Sequence, residues 1–112
     1  MQRDPRVFLW DAHSAAEAIL EFVAGKTLAD YSSDRLLRSA VERQFEIIGE
    51  ALNQLCKIEP TWAERIPDLP QIVAFRNLLI HGYASVNDAT VWNTIESSLP
   101  ALHETLANLL ND

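Results

Sequence analysis

The stretch SSDRLLRSAVERQFEIIGEALNQLCK, residues 32–57, places Leu37, Val41, Phe45, Ile48, Leu52 and Leu55 at intervals of three and four. That spacing is the period of an α-helix with one apolar stripe. Ser32, Ser33 and Asp34 offer N-cap candidates before the first apolar residue, so the longest helix is expected over roughly residues 33 to 57. Upstream, Phe8, Ala12, Ala15, Ile19 and Phe22, flanked by Leu9, Ala16, Leu20 and Val23, repeat the period and predict a first helix ending near Gly25. Downstream, Pro60 closes the long helix, Thr61 to Arg65 reads as a single turn, and Pro67 and Pro70 bracket the entry to a helix over about 69 to 81, stopped by Gly82. Asn87 or Asp88 can cap a last helix carrying Val91, Trp92, Ile95, Leu99, Leu102, Leu106 and Leu109, which Pro100 should kink or divide. No strand alternation is present, and no glycine-rich loop follows a strand. The fold class is therefore all-α, an antiparallel bundle of four to five helices in one domain over residues 1–112.

Composition narrows the function classes. The chain has 112 residues, 48% hydrophobic, with a formal charge of −7, which argues against sequence-blind adhesion to nucleic acid through a basic surface. Its one cysteine, Cys56, cannot form an intramolecular disulfide and reads as a small buried hydrophobe. No Cys/His cluster has metal-ligand spacing, so no metal site is expected. The absence of a long apolar run or signal-peptide pattern points to a soluble cytoplasmic protein with no membrane association. His13 and His103 lack companion residues and read as surface or packing histidines. Trp10, Trp62 and Trp92 read as core or interface anchors.

Chemistry concentrates on the helix at 69–81. Leu69, Ile72, Val73, Ala74, Phe75, Leu78, Leu79 and Ile80 make it apolar nearly all round, so it is expected to be buried, with Arg76, Asn77 and His81 set against protein, a partner chain or a narrow cleft. Asn77 and His81 share a face, whereas Arg76 lies about 140° from His81 and must reach round. Tyr83 follows on the next loop, close enough to bring its hydroxyl beside that pair. The long helix offers Glu42, Glu46 and Glu50, spaced four apart. Glu46 or Glu50 could face Arg76 or orient His81; the alternative is a solvated face with ordinary surface pairs. Arg35, Arg38, Arg43 and Arg76 could form a local positive cleft.

Arg76 followed five residues later by His81 is a weak pattern, about 0.2 chance occurrences in a chain of this composition; adding Tyr83 lowers this to roughly 0.003. With Val41 to Ala51, Ile66-Pro67-Asp68-Leu69-Pro70, Val91-Trp92 and Leu99 to Leu102, the pattern resembles the HepT toxins (DUF86 group) of the HEPN superfamily over almost the whole chain. Gln71 departs from it, standing where Trp is expected. The resemblance implies a homodimeric HEPN-type bundle. It further implies the toxin of a type VII HEPN/MNT toxin–antitoxin system, a metal-independent endoribonuclease that cleaves RNA through 2′-hydroxyl attack. On that reading Arg76 and His81 are catalytic, with Asn77, Glu46 and Glu50 supporting. Tyr83 would be AMPylated, and so silenced, by an MNT-type nucleotidyltransferase antitoxin that uses ATP and Mg²⁺; the nuclease itself needs no cofactor. The alternative is a catalytically inactive HEPN-like dimer, a nucleotide-binding or scaffolding partner of a transferase.

Overall fold

A computed structural model describes residues 4–82 and 86–111. Among these the chain forms seven helices and no strand: α1 (Pro5–Val23), α2 (Leu28–Ser33), α3 (Arg35–Ile58), α4 (Pro60–Ala63), α5 (Leu69–His81), α6 (Asp88–Ser97) and α7 (Leu99–Leu110). Helix ends follow local chemistry. Asp34 caps α3 by accepting from the Leu37 amide, and Asn87 caps α6 by accepting from Ala89 and Thr90. Pro100 divides the last helix rather than kinking it, sitting in the first turn of α7 just after the break at Ser98.

α3 is the axis of the bundle. Its whole predicted stripe, Leu37, Val41, Phe45, Ile48, Leu52 and Leu55, is buried. α1 packs along one side of it, burying Phe8, Leu9, Ala12, Ala15, Ala16 and Ile19, while α5 packs on another. α7 lies antiparallel on α1, with Arg6 reaching the Leu110 carbonyl and the His13 and His103 rings stacked at 4.6 Å between centroids. Those two histidines are thus each other's companions, and the His103 Nε2 lies 3.8 Å from a Glu17 carboxylate oxygen.

Three expectations are corrected. Between the first predicted helix, ending near Gly25, and the long one the sequence shows no helical period; a reciprocal capping box, Thr27 with Asp30, nevertheless makes Leu28–Ser33 a helix of six residues. Cys56 is exposed, because it falls beside the stripe rather than on it; Trp10, 61% exposed on α1, lies outside the core and keeps its reading as an interface anchor. α5 is not enclosed. Only Leu69 and Leu79 are buried, and Ala74, Asn77, Leu78 and His81 are exposed, because α3 covers one side of a helix whose sequence is apolar on every side.

Candidate active site

The candidate site is built where α5 meets α3. Phe75 meets Phe45 edge-on at 5.1 Å between centroids, holding the two helices together one residue before Arg76. A cavity of about 540 Å³ opens beside that contact, lined by Phe45, Ile48, Ile72 and Phe75 and closed by the start of α7. It does not include Arg76 or His81.

Arg76 passes over Gly49. A Cβ built on Gly49 would lie 2.2 Å from the Arg76 Cβ and 2.6 Å from its Cγ, so a side chain there would force the helices apart. Glycine inside a helix costs roughly 1 kcal/mol relative to alanine, and close approach is what offsets that cost here. The guanidinium then spans two helices. Its Nη2 donates to the Glu50 Oε2 at 2.7 Å, and its Nη1 donates to the Asn77 Oδ1 at 2.7 Å. The Gln54 Nε2 donates to the other Glu50 oxygen at 3.1 Å. The Arg76 Nε is buried and has no hydrogen-bond partner among the described residues. With side chains 23% and 48% exposed, the Arg76–Glu50 pair contributes under about 1 kcal/mol of stability, so its effect is chiefly on geometry.

The other predicted residues fall as follows. Of the three carboxylates on α3, Glu50 reaches Arg76. Glu46 lies 3.5 Å from Arg43, in a shallow groove that also involves Phe8, Asp11, Glu50 and Gln54. Glu42 is half-buried, and its carboxyl is held above the usual range by burial first, then by Asp88 and Glu46. Asn77 binds Arg76 rather than His81. His81 ends α5 and is exposed, about 7.5 Å along the axis from Arg76 at the helical rise. Among the described residues no hydrogen bond joins the imidazole to the guanidinium. Tyr83 lies outside the described residues. Of the four arginines, Arg38 donates to the Ser32 carbonyl, Arg43 and Arg76 are paired with carboxylates, and Arg35 is exposed at the start of α3. No group of three or more His, Cys, Asp or Glu side chains among the described residues could hold a metal ion.

Sequence reasoning missed Gly49 and Gln54 as parts of this arrangement. A glycine interrupting a strong helix former on a face next to the buried stripe was the available signal for the first. Nothing marked Gln54.

Among the described residues the arrangement defines a helical bundle with an arginine clamped between α3 and α5. Residues 12–109 match the family model described as "Ribonuclease HepT-like", and the chain belongs to the HepT-like family. It is 32% identical over 105 residues to the "Probable ribonuclease HepT" of Thermococcus cleftensis, covering 91% of this chain and 92% of that protein. It is also 32% identical over 108 residues, 96% of each chain, to a Caldanaerobacter subterraneus subsp. tengcongensis protein named "Putative RNase TTE0752". No solved structure shows significant similarity.

Proposed function

We propose that this chain is a metal-independent endoribonuclease and the toxin of a type VII HEPN/MNT pair. The observation that carries the reading is a guanidinium clamped between α3 and α5 on the same helix as an exposed terminal histidine, in a chain whose relatives carry ribonuclease names. RNA contains its own nucleophile, so cleavage needs a proton acceptor, a proton donor and a cation for the phosphorane. Arg76 supplies the cation through the donor positions left by Glu50 and Asn77. One His81 takes the proton of the 2′-hydroxyl as that oxygen attacks phosphorus. A second gives a proton to the departing 5′-oxygen, leaving a 2′,3′-cyclic phosphate. One protomer has a single such histidine, so the second comes from another copy. The exposed Ala74 and Leu78 on α5 support a homodimer through this helix.

In the same reading, an antitoxin of the MNT type, using Mg²⁺, transfers AMP from ATP onto the Tyr83 oxygen, which forms the ester bond to the α-phosphorus as pyrophosphate leaves and the phenolic proton is released. The ester would add charge and bulk seven residues after Arg76 in the sequence, and so oppose the binding of RNA, itself an anion. Intact-mass measurement after co-expression with such a transferase is expected to show one AMP added, lost in Tyr83→Phe; an addition that survives this substitution removes Tyr83 from the scheme. The nuclease itself is tested by incubating RNA with the protein in EDTA. Cleavage by the wild type, lost in folded Arg76→Ala and His81→Ala, supports the proposal, and no cleavage by the unmodified wild type contradicts it. A catalytically silent scaffolding or nucleotide-binding dimer is the second reading, favoured by the Glu50 carboxylate on Arg76, where a phosphate must compete with it, and by the net charge of −7.

A further inference from the structure

The Arg76 guanidinium is fixed through only part of its donor set. Among the described residues its Nε has no hydrogen-bond partner, so its orientation there depends on the two Nη contacts. Asn77 is the next residue on α5 and moves with that helix; Glu50 is, among the described residues, the hydrogen-bonded tie from the guanidinium to α3. The Glu50 side chain is 48% exposed, and a glutamate that open samples several rotamers unless its second oxygen is held. That oxygen accepts from the Gln54 amide, one turn further along α3. Arg43, the cation of the same groove, is engaged with Glu46, leaving Gln54 as the neutral donor among Asp11, Glu46 and Glu50.

We infer that Gln54 is a positioning residue for RNA cleavage: by holding one Glu50 oxygen it aims the other at Arg76 and fixes where the guanidinium meets the phosphorane. This rests on the ribonuclease reading of the site. Because a phosphorane is more demanding of donor placement than a ground-state phosphate, loosening the relay acts on turnover more than on RNA binding.

The test compares Gln54→Leu and Gln54→Glu with the wild type in two measurements. In RNA cleavage, Gln54→Leu is expected to lower kcat about tenfold while KM changes less than about twofold. Gln54→Glu sets a second carboxylate against Glu50; as pH falls, the pair takes up a shared proton and again has an O–H donor. Its activity relative to wild type should therefore recover toward pH 5, and that of Gln54→Leu should not. By NMR, the Arg76 guanidinium should give resolved, slowly rotating Nη signals in the wild type and averaged ones in Gln54→Leu, with backbone spectra otherwise superimposable. Unchanged Arg76 signals in Gln54→Leu, wild-type kcat in that variant, or a Gln54→Glu profile parallel to wild type would each overturn the relay. If the wild type cleaves no RNA, the ribonuclease reading fails while the NMR comparison still decides whether Gln54 orients Arg76.

Discussion

Two side chains outside the candidate site, Tyr31 and Glu42, are perturbed first by burial and then by charged neighbours. Tyr31 is fully buried, its ring 5.6 Å from that of Trp92, and its hydroxyl has no hydrogen-bond partner among the described residues. Burial raises its pKa above the usual phenol range, with further contributions from Glu42 and Asp88 that Arg38 opposes. A buried hydroxyl without a partner costs about 1 kcal/mol or more, so Tyr31→Phe should be stabilising by about that much in urea denaturation at pH 7. The gap should widen above about pH 10, where the unfolded wild-type phenol ionises and the folded one does not. A destabilised variant would show that the hydroxyl has an unrecognised partner. Glu42 carries the same pH signature at the acid end of the scale. Its carboxyl is raised in the fold, so the folded state holds a proton more tightly than the unfolded chain, and the cost of its charge is relieved as pH falls through the raised value. Glu42→Gln should therefore stabilise the protein at pH 7, with a gain that shrinks toward pH 4; a gain constant with pH would contradict this assignment.

At the scale of elements, the contact of α3 with α5 at Gly49 is the most constrained point. Gly49→Ala must displace the Arg76 Cβ and Cγ, which lie close to the backbone rather than at the end of a flexible chain. The expected cost is about 1–3 kcal/mol, read from denaturation, together with loss of RNA cleavage at temperatures where the variant remains folded. Wild-type stability would show that the helices have room to part. Which elements form was largely legible. A stripe as long as that from Leu37 to Leu55 admits one periodicity, and Asp34, Pro60, Pro70, Gly82 and Asn87 punctuate the chain with local chemistry that does not depend on the fold. α2 was missed because six residues are too few to show a period, although Thr27 and Asp30 carried a readable cap. The exposure of α5 was not legible at all. An all-round apolar helix reads as enclosed, but how many neighbours it finds is a property of the assembly, and in a single chain α3 leaves Ala74 and Leu78 uncovered. The Arg76–Glu50 pairing was open to inference from the repulsion among three carboxylates, whereas choosing Glu50 over Glu46 required the crossing geometry of the two helices.

For the whole molecule, charge sets the terms on which RNA could be bound. With sixteen acidic and nine basic residues, and with Arg43 and Arg76 both facing carboxylates, a phosphate must compete with the protein's own carboxylates at those two arginines. A dimer presenting one Arg76 from each copy would neutralise about two phosphates, giving a slope of roughly −1.4 for the logarithm of single-stranded RNA affinity against that of salt concentration. A slope several times steeper, measured by titration at fixed pH, would reveal a basic surface not accounted for here. The central claim is sharper than binding, and the ends of the products report on it most directly. RNA cleaved in EDTA by the wild-type protein and analysed by mass should carry 2′,3′-cyclic phosphate and 5′-hydroxyl ends. A substrate with a 2′-deoxy sugar at the cleavage position should remain intact, and Arg76→Ala and His81→Ala should yield neither product. Products ending in 5′-phosphate and 3′-hydroxyl, or cleavage of the 2′-deoxy substrate, would contradict the account.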